Sequence, residues 1–139
     1  MKIDIERLYA DLKRDEGMKL FPYVDTVGKI SIGCGRNLSD NGISEQEAIN
    51  MFNNDISKTV AELDEQIPWW RSMPEPVQRG MANMLFNMGW PRLSKFQMML
   101  AALEDRAWEA AASEALDSTW AKQVGDRAKR ISELFRNAA

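Results

Sequence analysis

The sequence predicts a predominantly α-helical α+β protein, and two observations point to this class. Apolar residues recur at three- and four-residue spacing along most of the chain, whereas two short β-prone runs flank a glycine-bearing turn near the N-terminus. At 139 residues, 45% of them hydrophobic, the chain suits a single domain with one core. We expect an N-terminal lobe with a hairpin at 1–45, a connecting helix at 44–67 and a helical lobe at 68–139. The first helix is a candidate to pack on the helical lobe.

The first helix and the hairpin follow from local signals. Helical apolar spacing predicts a helix over about 4–15 that ends before Gly17, so Glu16 lies where the chain turns away. The runs 23–25 and 30–34 then read as two strands of a hairpin. Gly33 and Gly35 remove side chains where the backbone could approach another group closely.

The remaining elements are helical. Residues 37–42 read as a polar turn, and Ser44 followed by Glu47 is a capping box that predicts a helix start. Helical spacing then continues for about six turns until Pro68. A central buried helix after Pro74 is predicted to end at Gly89. Three further helices are expected at about 93–103, 108–116 and 126–137.

Composition excludes several classes of chemistry. The chain contains no histidine, which rules out Ser-His-Asp and Cys-His catalysis and histidine metal sites. Cys34 is the only cysteine, so an intrachain disulfide cannot form and a thiolate zinc site is not expected. We therefore expect no metal and no organic cofactor. If the protein is an enzyme, carboxyl groups are the leading candidates for its chemistry.

Charge and hydropathy indicate which partners to expect. The net charge of −3 argues against a non-specific polyanion binder, although residues 122–136 hold five basic and two acidic side chains. We interpret this basic stretch as a solvated helix face, with nucleic-acid binding as the alternative. The N-terminal residues mix charges with apolar side chains, and the chain has no apolar run of about 20 residues. We therefore expect synthesis in a host cytoplasm without a signal peptide, and no stable membrane association.

Two carboxyl groups are placed where they could share a cleft. Glu16 ends the first helix, and Asp25 begins the turn of the adjoining hairpin, with Ser31 on the second strand. Glycosidic bonds are cleaved by such a pair, in which one carboxyl donates a proton and the other stabilises charge or activates water. A serine hydroxyl could hold that water. Spacing alone leaves open that Glu16 is a solvated helix-end acid and Asp25 an ordinary turn residue.

Longer motifs support the hypothesis of a glycosidase. The strings R-D-E-G, Y-x-D-T-x-G and S-I-G-x-G follow one another near the N-terminus, N-M-x-F-x-M-G covers residues 83–89, and D-R-A-K-R covers 126–130. In order and spacing these strings resemble the phage lysozyme family over nearly the whole chain. The resemblance implies a lysozyme-like fold. It also implies hydrolysis of the β-1,4 bond between N-acetylmuramic acid and N-acetylglucosamine in peptidoglycan, with the inversion typical of the family.

The resemblance also assigns roles to residues. Glu16 matches the family's general acid, Asp25 its second carboxylate, and Ser31 a threonine that positions the attacking water. Arg127 matches an arginine that pairs with the catalytic glutamate, and Arg130 one that pairs with the acid at Asp15. The positions that match substrate-contact residues are Phe86, Asn37, Met99 and Glu114, the last three with residue types that differ from the family's.

Three departures from the family pattern affect the expected site. Ser31 replaces threonine and so loses a methyl group that restrains the side-chain rotamer. Arg36 stands where the family usually has histidine, so a supporting ion pair must be rebuilt or absent. The segment between Gly35 and Ser44 is shorter than in the T-even phage enzymes, which shortens the wall of the N-terminal lobe.

The expected substrate follows from the resemblance, and the expected pore from the lack of a secretory signal in the sequence. We expect a monomer that acts on peptidoglycan glycan strands after a holin-like pore has permeabilised the membrane. One alternative is a peptidoglycan-binding module with little or no turnover. Another is a nucleic-acid binder that uses the basic C-terminal helix, although the chain lacks helix-turn-helix spacing.

Overall fold

The chain divides into two compact units, Met1–Asn50 and Met51–Ala139. The structure is a computed structural model that describes residues 2–138. It is mostly helical with one small antiparallel sheet, so the predicted α+β class is confirmed. No helix among residues 2–138 combines the length and the apolar character needed to cross a membrane.

Helix α1 covers Ile5–Glu16 and is capped at both ends. The Asp4 carboxylate accepts a hydrogen bond from the backbone N–H of Arg7 at 3.1 Å, which satisfies one free donor of the first turn. Gly17 follows with φ +75° and donates its N–H to the carbonyl of Lys13. Glycine suits this left-handed conformation because it has no Cβ. The predicted acid is therefore the last helical residue, one position beyond the predicted end.

The sheet of unit 1 has three strands in the order β1-β2-β3, with β1 at Lys19–Val24, β2 at Ile30–Gly33 and β3 at Arg36–Asn37. The pairs β1–β2 and β2–β3 are both antiparallel, so the predicted hairpin is present. β1 begins at Lys19, four residues earlier than predicted. The prediction missed its first half because those residues do not alternate between apolar and polar. β3 was not predicted, since two residues are too few to carry a periodic signal.

Unit 1 ends with a single helical turn and the start of a long helix. Residues 37–42, predicted to be a turn, contain helix α2 at Leu38–Asn41. Helix α3 covers Glu45–Gln66. Its capping box is confirmed, because Ser44 Oγ accepts from Glu47 N at 3.1 Å and Glu47 Oε1 accepts from Ser44 N at 2.9 Å.

Unit 2 contains the rest of α3, a 3-10 turn at Pro68–Ser72 and further helices. In chain order these are α4 Glu75–Met88, α5 Trp90–Leu93, α6 Gln97–Glu104, α7 Trp108–Leu116, α8 Thr119–Val124 and α9 Asp126–Arg136. The helix predicted at 93–103 corresponds to α6, which begins four residues later, and neither α5 nor α8 was predicted. Both differences involve short helices, whose length carries little periodicity.

The hydrophobic core lies in unit 2, and α4 is its central helix as predicted. Met81 and Met84 of α4 are fully buried. Gly80, on the same helix, lies so close to Phe135 of α9 that a Cβ at position 80 would be 2.6 Å from the ring. The absence of a side chain at Gly80 thus lets α4 and α9 approach each other closely.

Candidate active site

The Glu16 carboxyl group lies against the turn between β2 and β3. A Cβ built on Gly35 would be 3.0 Å from Glu16 Oε2, and Gly35 has φ +79°. A residue with a side chain would be strained by this conformation and would also crowd the carboxyl oxygen. The expected close approach at Gly35 is therefore confirmed. At Gly33, by contrast, an added Cβ would have no described atom within 4 Å.

A second contact joins the same turn to α1. The Cys34 thiol donates to the backbone carbonyl of Leu12 at a sulfur–oxygen distance of 3.4 Å. The last turn of α1 and the β2–β3 turn are thus linked at Cys34 as well as at Gly35. Because Glu16 belongs to that last helical turn, the β2–β3 turn helps to define where its side chain lies.

Asp25 organises the hairpin turn through one of its oxygens. Oδ1 accepts hydrogen bonds from the backbone N–H groups of Val27 at 3.0 Å and Lys29 at 2.8 Å. The backbone of Asp25 also exchanges hydrogen bonds with this turn. Asp25 therefore does act as a turn residue, the possibility that the sequence left open. It leaves the second oxygen, Oδ2, for other contacts.

Ser31 provides the contact to that second oxygen. Its hydroxyl donates to Asp25 Oδ2 at 3.5 Å, a long hydrogen bond. Ser31 lies on the middle strand, opposite Tyr23 of β1 and Asn37 of β3, and only 3% of its surface is exposed. A carboxylate oxygen and a buried hydroxyl thus face each other within unit 1. Such a pair can bind a water molecule from two sides.

Arg36 forms a new ion pair in place of one that a histidine would make. Its guanidinium donates to Glu47 through two bonds, Nη1–Oε1 at 2.9 Å and Nη2–Oε2 at 2.7 Å. Nη1 also donates to the carbonyl of Gly42 at 3.2 Å. The hydrogen bond from Arg36, followed by the one from the Ser44 backbone, lowers the pKa of Glu47 to about 2. The ion pair is therefore rebuilt rather than absent.

Asn37 already uses both polar atoms of its side chain. Its Oδ1 accepts from the backbone N–H of Asp40 at 3.0 Å, and its Nδ2 donates to the Asp40 carboxylate at 3.0 Å. Asn37 is thus the N-cap of α2. A saccharide contact by this residue stays a prediction, and it would have to compete with the cap.

In unit 2, Phe86 is the exposed aromatic residue of α4. The residue is 43% exposed, and its ring packs edge-to-face on Phe52 with 5.9 Å between the ring centroids. Its neighbours Met84 and Met88 are buried, as predicted. Phe86 lines an open cavity of about 400 Å³ together with Arg127 and apolar residues of α3. It is therefore placed to offer an apolar face to a ligand.

The two arginines predicted to support the site lie together on α9. Arg127 donates through Nε to Asn83 Oδ1 at 2.8 Å, and both Arg127 and Arg130 line a cavity of about 480 Å³. In unit 1, the Asp15 carboxylate accepts from Arg14 Nε at 3.0 Å. The expected pairs of Arg127 with Glu16 and of Arg130 with Asp15 involve residues of two units and stay predictions.

Met99 and Glu114 line one cavity of unit 2, with a volume of about 600 Å³. Met99 is only 1% exposed, so its side chain is mainly part of the core. Glu114 is half-buried on α7 and offers a carboxylate to the same cavity, which Trp120 also lines. The Trp120 indole donates to Asn87 Oδ1 at 2.8 Å. Substrate contacts by Met99 and Glu114 stay predictions.

Sequence reasoning missed two partners of the predicted residues. Glu47 was recognised only as a capping residue, although it also binds Arg36. Asn83 was part of a family motif without a role, although it binds Arg127. Neither pair is local in sequence, so no spacing rule could have found them. Among residues 2–138 no group of three or more Cys, Asp or Glu side chains is arranged to bind a metal ion.

The chain matches the phage lysozyme family over residues 13–137. It is 28% identical to "Probable T4-type lysozyme 2" of Dictyostelium discoideum, across 89% of this chain and 90% of that protein. It is 29% identical to the "Pre-baseplate central spike protein Gp5" of Enterobacteria phage T4, across 89% of this chain but only 26% of the spike protein. The chain belongs to the phage lysozyme family and is a glycoside hydrolase of the lysozyme type.

Proposed function

We propose that this peptidoglycan hydrolase is a muramidase, which cleaves the β-1,4 bond between N-acetylmuramic acid and N-acetylglucosamine. The observation that carries the proposal is the arrangement of two carboxyl groups in unit 1. Glu16 lies against the Gly35 turn, and Asp25 faces the Ser31 hydroxyl. Membership of the phage lysozyme family and the similarity to a protein named a T4-type lysozyme support it.

Glu16 is the proposed general acid, which donates its proton to the glycosidic oxygen of the leaving sugar. Among the described residues of unit 1, the Glu16 carboxyl forms no salt bridge. The predicted pair with Arg127 would stabilise the carboxylate that remains after proton transfer.

Asp25 and Ser31 are the proposed water-binding pair. A water held by the Ser31 hydroxyl and Asp25 Oδ2 would attack the anomeric carbon while the bond to the leaving oxygen breaks. Asp25 would accept the proton of that water as its oxygen bonds to the anomeric carbon, and would stabilise the positive charge that develops on the sugar ring. Attack from the opposite face inverts the anomeric configuration, and such enzymes separate their carboxyl groups by about 6.5–9.5 Å.

The chemistry of the products tests this proposal. Purified peptidoglycan is incubated with the protein, and the new reducing ends are reduced with borohydride and identified after acid hydrolysis. Cleavage of the proposed bond yields muramicitol. Glucosaminitol in its place would identify the other glycosidic bond as the target. Tight binding to the wall without new reducing ends would favour the binding-module alternative.

Access to the wall and oligomeric state are further parts of the proposal. We propose a monomer that reaches peptidoglycan after a holin-like pore has opened the membrane. Expression in bacteria should lyse the culture only when such a pore is co-expressed or chloroform is added. Lysis without either treatment would contradict this part, and a dimeric mass in sedimentation would contradict the monomer.

A further inference from the structure

The β2–β3 turn is fixed at its far end by one ion-pair network. We call this network the Arg36 clamp, and it consists of Arg36, Glu47, the carbonyl of Gly42 and the N–H of Ser44. Arg36 begins β3, and Glu47 lies in the first turn of α3. The clamp therefore ties the last strand of the sheet to the start of the long helix, within unit 1.

The clamp lies one residue from the contact with the candidate acid. Gly35, whose backbone is in close approach to Glu16 Oε2, is followed directly by Arg36. The backbone of Arg36 pairs with Ile32 on β2, beside the Ser31 position. A shift of Arg36 would therefore move Gly35, and with it the surface against which the Glu16 carboxyl lies.

We propose that the Arg36–Glu47 ion pair is a positioning device for the Glu16 carboxyl, which it controls through the Gly35 turn. This inference rests on the proposed role of Glu16 as general acid. Arg36 suits the task because two parallel hydrogen bonds fix the orientation of its planar guanidinium as well as its distance from Glu47. A single contact would fix the distance to Glu47 but not the orientation of the guanidinium.

The effect should appear in the chemical step more than in stability. Both side chains of the pair are 42% exposed, and exposed ion pairs contribute little to folding. A small misplacement of a catalytic group, however, lowers the rate strongly, by about 100-fold for an error of about 1 Å. We therefore expect kcat to fall about tenfold when the pair is broken, with KM changed less than about twofold.

The experiment compares Arg36→Gln, Glu47→Gln, the double variant and Arg36→Lys. Glutamine at position 47 keeps an acceptor for the capping box, so Glu47→Gln removes the charge without removing the cap. The matched control is Arg71→Gln in unit 2, because Arg71 forms an equivalent double contact with Asp64 at 2.7 and 2.9 Å. Reducing-end release is measured against peptidoglycan concentration, well below each variant's melting temperature.

If the clamp positions Glu16, Arg36→Gln and Glu47→Gln each lower kcat about tenfold, and the double variant loses no more than either single one. Arg36→Lys, which keeps the charge with one contact, recovers part of the rate, and Arg71→Gln keeps the parental kcat. Equal kcat values in Arg36→Gln, Glu47→Gln and Arg71→Gln would overturn the inference. Losses that multiply in the double variant would also overturn it, because they would mean that the residues act independently.

The activity of a Glu16→Gln variant separates the positioning role of the clamp from the proposed function. Glu16→Gln, measured alongside, reports on the proposed acid. If it retains the parental rate, the proposed function fails. If it is inactive while Arg36→Gln and Glu47→Gln behave like Arg71→Gln, only the positioning role fails.

Discussion

Replacing Gly35 with alanine tests whether the β2–β3 turn supports the acid. The added Cβ would lie 3.0 Å from Glu16 Oε2, closer than an ordinary van der Waals contact. The residue would also have to adopt φ +79°, a conformation that costs alanine about 1–2 kcal/mol. Two separate effects are expected, one on stability and one on the position of the carboxyl group.

Gly33→Ala separates these two effects. Gly33 has φ +68°, so alanine pays a similar conformational cost, but no described atom lies within 4 Å of its added Cβ. Both variants should therefore lose about 1–2 kcal/mol of unfolding free energy, which lowers the melting temperature by about 3–8 °C. Only Gly35→Ala should displace the Glu16 carboxyl.

The assay is reducing-end release from peptidoglycan at a temperature where both variants are folded. A displacement of a few tenths of an ångström predicts a loss of about tenfold in kcat for Gly35→Ala. Gly33→Ala should stay within about twofold of the parent. Equal rates in the two variants would refute the reasoning, because backbone strain alone would then explain both.

The remaining predictions concern the hydroxyl, the core and acid stability. Ser31→Ala removes the hydroxyl that contacts Asp25 and should lower kcat about tenfold or more, so a parental kcat would exclude a role for it in binding water. Gly80→Ala gains about 1 kcal/mol of helix propensity but crowds the Phe135 ring, and overpacking costs about 1–3 kcal/mol. Calorimetry should therefore give a lower melting temperature, and a higher one would mean that the ring moves freely. Folding lowers the pKa values of Glu47 and Asp64 to about 2, so their contribution to stability is present above their unfolded values and is lost as the pH falls towards 2. The melting temperature should therefore fall as the pH is lowered from about 4.5 to 2, and it should fall less steeply in a Glu47→Gln, Asp64→Asn double variant. The same dependence of melting temperature on pH in both proteins would contradict this assignment.

Elements with strong local signals could be predicted from the sequence. Helix α1, the capping box of Ser44 and Glu47, and the buried face of α4 each depend on neighbouring residues and helical periodicity. Glu16 was located in the same way, from the apolar spacing before it and the glycine after it. Its place at the end of a helix depends only on residues close to it in the sequence.

Short elements and distant contacts could not be predicted. β3, α2 and α8 are too short to carry a periodic pattern, and the N-cap roles of Asn37 and Ser118 become evident only once the turns are in place. The Arg36–Glu47 pair spans eleven positions and forms because the sheet and the start of α3 are adjacent in space. Such contacts depend on tertiary structure, which spacing rules do not describe.

The central claim is that Glu16 donates the proton to the leaving sugar, and one substitution tests it directly. Glu16→Gln is compared with Glu6→Gln, which makes the same chemical change in the first turn of the same helix. The measurement is the initial rate of reducing-end release from purified peptidoglycan. Glu16→Gln should be slower than the parent by about 100-fold or more, while Glu6→Gln should match the parent. Parental activity in Glu16→Gln would contradict the claim.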